Sequence, residues 1–261
     1  MKKGLLAGFA MIVATSALVA ELTPSIERAF SRYVATRENT RESSLTGDGF
    51  LWIDQYPDLV AAARSGEAVI RTVSPKNPVE LPGGLAHDWI GTVFIPGTTL
   101  KQTLAFVQDY ANHKNTYRPE VVDSRLVSHQ GNDFHTFLRL RKHKVITVLL
   151  NSEHDVKYTT IDARRAYSRS VSTKIAEVEN PGTPDEHELA PADDHGFLWK
   201  LNSYWRFEER DGGVWVECEA ISLTRDIPFG LGAIVKPIIR DLPAESLEKT
   251  LRATSAALSK Q

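Results

Sequence analysis

One pair of side chains has the residue types and the spacing that general base catalysis requires. His113 follows Asp109 by four positions, and Tyr117 follows His113 by four more. If one helix runs through this segment, residues four apart share a face, and a carboxylate can hold an imidazole ready to accept a proton. A histidine beside an acid at a helix end is also a common surface pair. The sequence leaves both interpretations open for Asp109 and His113.

Two other groups of polar side chains could bind ions. His135, Arg139 and Arg141 alternate along one predicted strand and could hold an acidic head group. We expect them to face solvent, because the opposite side of that strand, over 134–140, is apolar. The acidic loop at 180–195 contains histidines and carboxylates that suit a metal, but their spacing matches no known site. A solvated loop is therefore predicted there, and no metal site.

The motifs of several common enzyme classes are missing from the sequence. It contains no Gly-x-Ser-x-Gly nucleophile motif, no phosphate-binding glycine loop and no dinucleotide fingerprint. Cys218 is the only cysteine, so no intramolecular disulfide can form. Its apolar neighbours predict a small buried side chain rather than a reactive thiol. The sequence therefore favours a binding protein over an enzyme, and we expect no cofactor.

Composition and charge exclude one class of partner. The chain has 261 residues, of which 42% are hydrophobic and 25% charged, and a formal net charge of −2. This is an ordinary globular composition in a chain long enough to bury one sizeable core. The charge balance implies no basic surface that could hold phosphates. We therefore expect no nucleic acid partner.

The N-terminus has the three parts of a secretory signal peptide. Lys2 and Lys3 precede an uncharged, mostly apolar run that ends in small residues at Ala20. We predict a signal peptide at 1–20, cleaved after Ala17 or Ala20, and hence a periplasmic or secreted protein. An uncleaved signal anchor is the alternative, although the run is shorter than the ~20 apolar residues that span a bilayer comfortably. No other stretch is apolar enough to span, so no stable membrane span is expected after cleavage.

Residues 21–84 are predicted to form an N-terminal extension. They are too few and too interrupted to bury a core by themselves. A short helix begins near Pro24, which suits a first helical turn, and the polar stretch at 37–49 indicates a linker. A second short helix at 57–64 and one strand at 68–73 complete the extension.

Residues 85–261 are predicted to form one domain of strands with a helix near each end. Thr99 and Gln102 have the spacing of a capping box at the start of the first helix. Pro243 opens the last helix, in which acidic residues come early and basic residues later. Turn residues separate the strands between them. The strands are predicted at 87–95, 120–129, 134–141, 145–151, 166–178, 199–210 and 214–224.

The last two strands form a hairpin whose two faces differ in charge. The turn sequence Asp211-Gly212-Gly213 supplies positive φ angles without strain. Side chains alternate across a strand, so any turn of even length keeps the two strands in phase. The less charged face consists of Leu201, Ser203, Trp205 and Phe207 with Val216, Cys218, Ala220 and Ser222.

The predicted order is strand, helix, about six antiparallel strands and a long terminal helix, which defines an α+β fold. An acid and aromatics lie late in the first helix, an aromatic-rich stretch forms the penultimate strand, and Leu-Pro starts the last helix. These residues are Asp109, Tyr110, Tyr117, Pro119, Val121, the stretch 203–207, Leu242 and Pro243. With this order and these residues, roughly 85–260 of the chain resembles the START-like or SRPBCC superfamily. That superfamily includes lipid-transfer START domains, polyketide cyclases and coenzyme Q-binding proteins.

The resemblance implies the helix-grip fold, a curved antiparallel sheet wrapped around a long C-terminal helix, here with an N-terminal extension. In this fold a cavity lies between the sheet and the helix, and ligand pockets of this kind are largely apolar with a few polar groups. Ligand contacts are expected from the less charged hairpin face and from two tyrosines at the mouth. They are Trp205, Phe207, Leu201, Ser203, Val216, Ala220, Tyr110 and Tyr117.

The resemblance, the signal peptide and the missing catalytic motifs together predict an exported carrier of a lipid or another hydrophobic small molecule. Two alternatives stay open. One is a cyclase-like or hydrolase-like enzyme that uses Asp109 and His113 within the same cavity. The other is a protein-interaction module whose cavity is collapsed.

Overall fold

The strands of the protein form one curved antiparallel sheet. The computed structural model describes residues 21–45, 49–143, 147–191, 193–226 and 232–260, with the backbone alone for 232–240. The strands in these ranges are β1 (Val69–Thr72), β2 (Val79–Leu81), β3 (Gly84–Pro96), β4 (Val121–Gln130), β5 (Asp133–His143), β6 (Thr147–Thr160), β7 (Arg165–Glu179), β8 (His187–Glu188), β9 (Lys200–Arg210) and β10 (Gly213–Arg225). Their order across the sheet is β1-β3-β10-β9-β7-β6-β5-β4, with β2 paired to β3 and β8 paired to β7.

One long helix lies across one side of this sheet. The helices of the described ranges are α1 (Pro24–Glu42), α2 (Pro57–Arg64), α3 (Leu100–Val107), α4 (His113–Thr116) and α5 (Gly232–Leu258). α5 packs against β3, β10 and β1 and against α3, and we call this side of the sheet the inner face. Gly91 of β3 permits a close approach, because a Cβ atom there would lie only 2.7 Å from Cδ1 of Leu251.

The predicted fold class is confirmed by this architecture. The chain order is the predicted one, and a terminal helix crosses the inner face of an antiparallel sheet. This is the α+β helix-grip arrangement. The predicted capping box of α3 is also present, since Thr99 accepts from the backbone of Gln102 and the Gln102 side chain accepts from the backbone of Thr99.

The hairpin of β9 and β10 has a two-residue turn, which preserves the predicted faces. Arg210 pairs with Gly213, so the turn consists of Asp211 and Gly212, with φ angles of 60° and 78°. Two positive φ angles are typical of the type I′ turn, whose twist matches that of the flanking strands. The less charged face of the hairpin is the inner face, as predicted.

The N-terminal extension differs from its prediction in two respects. α1 continues to Glu42, so the predicted linker at 37–49 is partly helical. Contacts with the sheet explain the difference, because Arg37 and Arg41 both reach from α1 to the carboxylate of Glu219 in β10. In addition, two strands rather than one belong to this segment, and both β1 and β2 pair with β3.

Two other boundaries were also predicted wrongly. α5 begins at Gly232, so Pro243 lies inside the helix, where its missing N–H removes one intrahelical hydrogen bond. β6 extends to Thr160, well beyond its predicted end. Its polar stretch at 152–155 does not end the strand, because buried and more exposed side chains alternate there across the two faces of the sheet.

The N-terminal extension covers part of the other side of the sheet, which we call the outer face. The charged face of the last hairpin is therefore buried rather than solvated, with Glu217 0% and Glu219 1% exposed. α1 packs its apolar side on this face, and the 3₁₀ turn Trp52–Gln55 and α2 pack beside it. The α1 cluster contains Ile26, Phe30 and Val34 of the helix with Trp199, Tyr204, Ile221 and Leu223 of the sheet side.

The predicted signal peptide at 1–20 lies outside the described residues, so export stays a prediction. The division of the chain into 21–84 and 85–261 likewise stays a prediction. Within the ranges that the structure describes, none of the helices has both the length and the hydropathy of a membrane span.

Candidate functional site

A cavity of about 300 Å³ lies between the inner face of the sheet and α5. Strands β4 to β7, β9 and β10 form its floor and sides, and α5 from Leu242 to Thr250 forms its roof. The segment from Val107 to Tyr117 closes one end. Its lining is predominantly apolar, and its volume falls at the small end of the range for ligand pockets. The predicted cavity is therefore present.

Most of the predicted ligand residues line this cavity. They are Leu201, Ser203, Trp205, Ala220, Tyr110 and Tyr117. Phe207 and Val216 do not line it, although both lie on the inner face as predicted. They pair with each other nearer the hairpin turn, where both are 0% exposed and pack in the core that α3 and Leu251 complete. The alternation of the strand is correct, but the cavity ends before it reaches this pair.

Small side chains create the hollow in the sheet. Ser170 of β7 pairs with Ser203 of β9, and Ser203 pairs with Ala220 of β10. These three small side chains lie next to one another in the floor of the cavity, and the large side chains of Tyr158 and Trp205 line it beside them. Cores are otherwise filled to high density. The row of small residues therefore provides the space for a ligand.

Tyrosine hydroxyls near the cavity are satisfied by one another or by a neighbouring group. The hydroxyls of Tyr110 and Tyr158 are 2.9 Å apart, and the Tyr117 hydroxyl lies 3.1 Å from Oγ1 of Thr254. Burial raises the pKa of Tyr117 to about 12 and raises the pKa of the other two as well. All three phenols are consequently uncharged at neutral pH.

The proposed Asp109–His113 pair does not form. α3 ends at Val107, a 3₁₀ turn follows, and α4 begins only at His113, so the two residues do not share a helical face. Asp109 is exposed and accepts a hydrogen bond from Asn112 at 2.6 Å. The ring of His113 lines the cavity, but its Nε2 lies 3.1 Å from the carbonyl oxygen of Val107, to which it donates. Asp109 is thus outside the cavity, contrary to the enzyme hypothesis.

Both histidines of the cavity lining are neutral. Burial lowers the pKa of His113 to about 4. Burial, together with the charge of His135, also lowers the pKa of His154 to about 4. His154 lies beside Ser152, with 3.1 Å between Nε2 and Oγ. Neither imidazole therefore places a positive charge in the cavity at neutral pH.

One ion-pair cluster lies at the edge of the cavity and holds α5 to the sheet. Lys142 donates to Glu120 at 2.8 Å and to Ser246 of α5 at 2.9 Å, and Lys249 of α5 donates to Glu120 at 2.8 Å. Burial raises the pKa of Glu120, but the two lysines outweigh it and hold the pKa below its usual value. Phe197, which is 37% exposed, also lines the cavity, so the lining reaches the surface at its side.

Several cavity residues escaped the sequence prediction. His154, Tyr158, Ser168 and Ser170 line the cavity from β6 and β7. The predicted β6 ended before the first two. The serines lie at alternate positions of β7, and this alternation of small residues was the available signal. The apolar face predicted on β5 was more informative, since Thr136, Leu138 and Leu140 all line the cavity.

The remaining candidate ion-binding residues form ion pairs away from the cavity. His135 lies 2.8 Å from Asp155, and Arg139 lies 2.9 Å from Glu186. Arg141 is exposed. In the predicted acidic loop, Asp194 is buried rather than solvated, and Nδ1 of His195 lies 2.8 Å from the buried carboxylate of Glu177.

Comparison with known proteins finds likeness only among solved structures. No protein-family model matches the chain, and no curated protein matches it. A STAR-related lipid transfer protein from Xanthomonas axonopodis is 15% identical, with 74% of this chain and 99% of that one covered and a TM-score of 0.47. A START superfamily protein from Mycobacterium smegmatis is 8% identical, with 69% and 99% covered and a TM-score of 0.41. The Zhui aromatase/cyclase from Streptomyces sp. R1128 is 12% identical, with 67% and 94% covered and a TM-score of 0.41.

The START-like resemblance seen in the sequence thus recurs among solved structures. The names of those proteins differ between lipid transfer and cyclisation. At such low identities and TM-scores, they assign neither a ligand nor a reaction to this chain. Its function has to be argued from its own cavity.

Proposed function

We propose that this protein is a carrier that holds a lipid or another hydrophobic small molecule in the cavity between the sheet and α5. The observation that supports the proposal is the cavity itself, about 300 Å³ in volume and lined mainly by apolar side chains on an otherwise packed inner face. An empty apolar cavity forgoes dispersion contacts that a guest would restore. A ligand would also gain about 25 cal/mol for each Å² of apolar surface removed from water.

The polar groups of the cavity suit the binding of a ligand better than catalysis. His113 donates its Nε2 proton to a backbone carbonyl, and its one side-chain hydrogen bond among the described residues is this one, not a bond to a carboxylate. The phenols stay protonated, and burial raises the pKa of Cys218 so that its thiol stays protonated too. Protonated phenols and a protonated thiol are poor nucleophiles, and an imidazole whose pKa is lowered to about 4 is only a weak base. We therefore favour a carrier over an enzyme.

We also propose that the carrier is exported. The support is the basic start and the apolar run at 1–20, which have the pattern of a signal peptide. N-terminal sequencing of the protein from a periplasmic or culture fraction tests this proposal. A first residue shortly after Ala17 or Ala20 is expected, whereas an intact Met1 in a membrane fraction would support the signal anchor.

Native mass spectrometry of the protein from its own source, followed by organic extraction, tests the carrier proposal. A bound mass that disappears on extraction is expected. The variant Ala220→Phe fills the floor of the cavity and should retain at least tenfold less of this mass. Ala61→Phe on the exposed side of α2 is the matched control and should bind like the wild type. A wild-type protein that carries nothing and binds no hydrophobic probe would refute the carrier.

A further inference from the structure

An unsatisfied hydroxyl lies in the wall of the cavity. Ser168 of β7 is 1% exposed and lines the cavity, and its Oγ has no hydrogen-bond partner among the described residues. A buried hydroxyl without a partner costs about 1–3 kcal/mol. Most buried polar groups in folded proteins avoid this cost by hydrogen bonding. A bound molecule with an oxygen at this point would provide the missing partner.

The neighbours of Ser168 do not provide the missing hydrogen-bond partner for its hydroxyl. In the sheet Ser168 pairs with Tyr158 on one side and with Trp205 on the other, and both side chains line the cavity. The Tyr158 hydroxyl lies 2.9 Å from the hydroxyl of Tyr110 and 3.4 Å from the carbonyl oxygen of Val107. Burial and Tyr110 raise the pKa of Tyr158, and a contact with the Ser168 hydroxyl lowers it. That contact is too long or too poorly aligned to be a hydrogen bond, so the Ser168 hydroxyl is left without a partner among the described residues.

The electrostatics of the cavity are unfavourable to a charged guest. Its two histidines are neutral, because burial lowers the pKa of His113 and of His154 to about 4. Among the described lining residues, the charged side chains are Glu120 and Lys142, which pair with each other at the edge, where Lys249 also pairs with Glu120. A carboxylate deeper in the cavity, away from this edge, would lose its hydration without gaining a counter-ion. That loss is far more costly than the burial of a neutral oxygen.

We propose that the cavity selects an uncharged apolar molecule bearing an alcohol or carbonyl oxygen, and that this oxygen hydrogen-bonds to Ser168. The inference rests on the carrier function and adds the class of ligand to it. A serine hydroxyl can both donate and accept, so ketones, esters, quinones and alcohols all qualify. The same molecules with an ionised carboxyl group are excluded by charge rather than by shape.

Four probes with one apolar skeleton separate charge from shape. They are naphthalene, 2-naphthol, methyl 2-naphthoate and 2-naphthoate, titrated into the wild-type protein at neutral pH by calorimetry or by displacement of a bound fluorophore. The two neutral oxygen-bearing probes should bind most tightly. 2-Naphthoate should bind at least about tenfold more weakly than its methyl ester, because only the acid is charged. Equal affinity of the acid and the ester would overturn the proposed selectivity.

The variant Ser168→Ala tests the hydrogen bond. It should weaken the binding of 2-naphthol about five- to tenfold and leave the affinity for naphthalene unchanged, since only the naphthol has an oxygen that can accept or donate a hydrogen bond. Thr173→Ala removes a hydroxyl from an exposed position of the same strand outside the cavity, so it is the control and should change neither affinity. Equal weakening of naphthol and naphthalene, or no weakening of either, would overturn the role of Ser168. If none of the four probes binds the wild-type protein and native mass spectrometry finds no bound mass, the carrier function itself fails together with its ligand class.

Discussion

The Nε atom of Arg37 in α1 lies 3.1 Å from Oδ2 of Asp88 in β3. The same nitrogen lies 3.3 Å from Oε1 of Glu219 in β10, and the hydroxyl of Tyr33 donates to Oδ2 of Asp88 at 2.7 Å. Both carboxyl groups are buried under α1. Burial, followed by the charge of Glu219, raises the pKa of Asp88 to about 7. The guanidinium of Arg37 therefore contacts two carboxyl groups in the outer face of the sheet, and Arg41 contacts Glu219 as well.

Replacement of Arg37 by alanine should destabilise the protein. Loss of the guanidinium leaves Asp88 and Glu219 close together with less compensation, and hydrogen bonds to charged groups contribute about 1.5–3 kcal/mol. We expect the free energy of unfolding to fall by about 1–3 kcal/mol near pH 8, measured by urea denaturation. Arg28→Ala, at an exposed position of the same helix, is the control and should change it little. Equal effects of the two variants would show that the contact contributes nothing specific.

A second buried acid also makes the stability of the protein depend on pH. Glu217 is fully buried, and its Oε2 accepts from the backbone of Trp52 at 2.9 Å and from Thr92 at 3.3 Å. Burial raises its pKa to about 7, although Arg206 and Arg41 act to lower it. The folded pKa lies above the usual value of 4.5, so folding favours the protonated form. This contribution to stability is present below pH 4.5 and is lost as the pH rises through about 7.

The variant Glu217→Gln should remove that pH dependence. Glutamine resembles the protonated acid and stays neutral, so near pH 8 the variant should be about 1–3 kcal/mol more stable than the wild type. Near pH 4 the difference should nearly vanish, because the acid is then protonated in both the folded and the unfolded wild type. Urea denaturation at both pH values measures this. A variant that is less stable than the wild type at pH 8 would contradict the raised pKa.

Local patterns in the sequence were sufficient for the hairpin and for the first helix of the domain. Alternation and an even-length turn determine which side chains of β9 and β10 share a face, and the capping box of Thr99 and Gln102 marks the start of α3. These features depend on neighbours along the chain or directly across one turn. The burial of Glu219 depends instead on α1, whose Arg37 and Arg41 reach its carboxylate, and Glu217 is covered by the 3₁₀ turn, whose Trp52 donates to it. Both elements lie far away in the sequence. No local pattern identifies that partner.

The candidate site was predictable in kind but not in extent. The side chains of β9 and β10 that face inward were predicted correctly. Phe207 and Val216 nevertheless lie beyond the cavity, because α3 and α5 pack against them. The chain leaves the helical conformation after Val107, which separates Asp109 from His113, and spacing alone could not reveal this break. The cavity lies where the sheet and α5 are not in contact. Because these elements are distant in sequence, the gap depends on tertiary packing.

Gly213, at the start of β10, should tolerate no side chain. A Cβ atom there would lie 2.3 Å from the carbonyl oxygen of Ile95 and 2.8 Å from Cα of Pro96, and backbone atoms cannot rotate away as a side chain can. We expect Gly213→Ala to lower the free energy of unfolding by about 1–3 kcal/mol or more, as overpacking does. Gly49→Ala is the control, because nothing lies within 4 Å of its Cβ position. Thermal unfolding of both variants provides the comparison, and similar midpoints would contradict the expected clash.

Affinity for a neutral ligand should not depend on pH between about 5.5 and 8. The cavity histidines have pKa values of about 4, that of Tyr117 is about 12, and that of Glu120 is held below its usual value. None of these groups changes its charge in this interval. Titration of the protein with 2-naphthol at several pH values measures the dissociation constant. A change centred near pH 6.5 that disappears in His113→Phe would show that this histidine is accessible and titrates normally.

Trp205 should report directly on an occupied cavity. Its indole lines the cavity and is nearly parallel to the ring of Phe207, with an interplanar angle of 8° and 6.1 Å between centroids. A ligand on the row of small floor residues would contact this indole and replace the water around it, so tryptophan emission should shift or be quenched on binding. In Trp205→Phe most of this change should disappear, and affinity should fall a few-fold because aromatic contact area is lost. Trp215→Phe alters a buried tryptophan of the outer face and should retain the signal. A ligand-induced change that survives in Trp205→Phe but not in Trp215→Phe would place the ligand on the opposite side of the sheet.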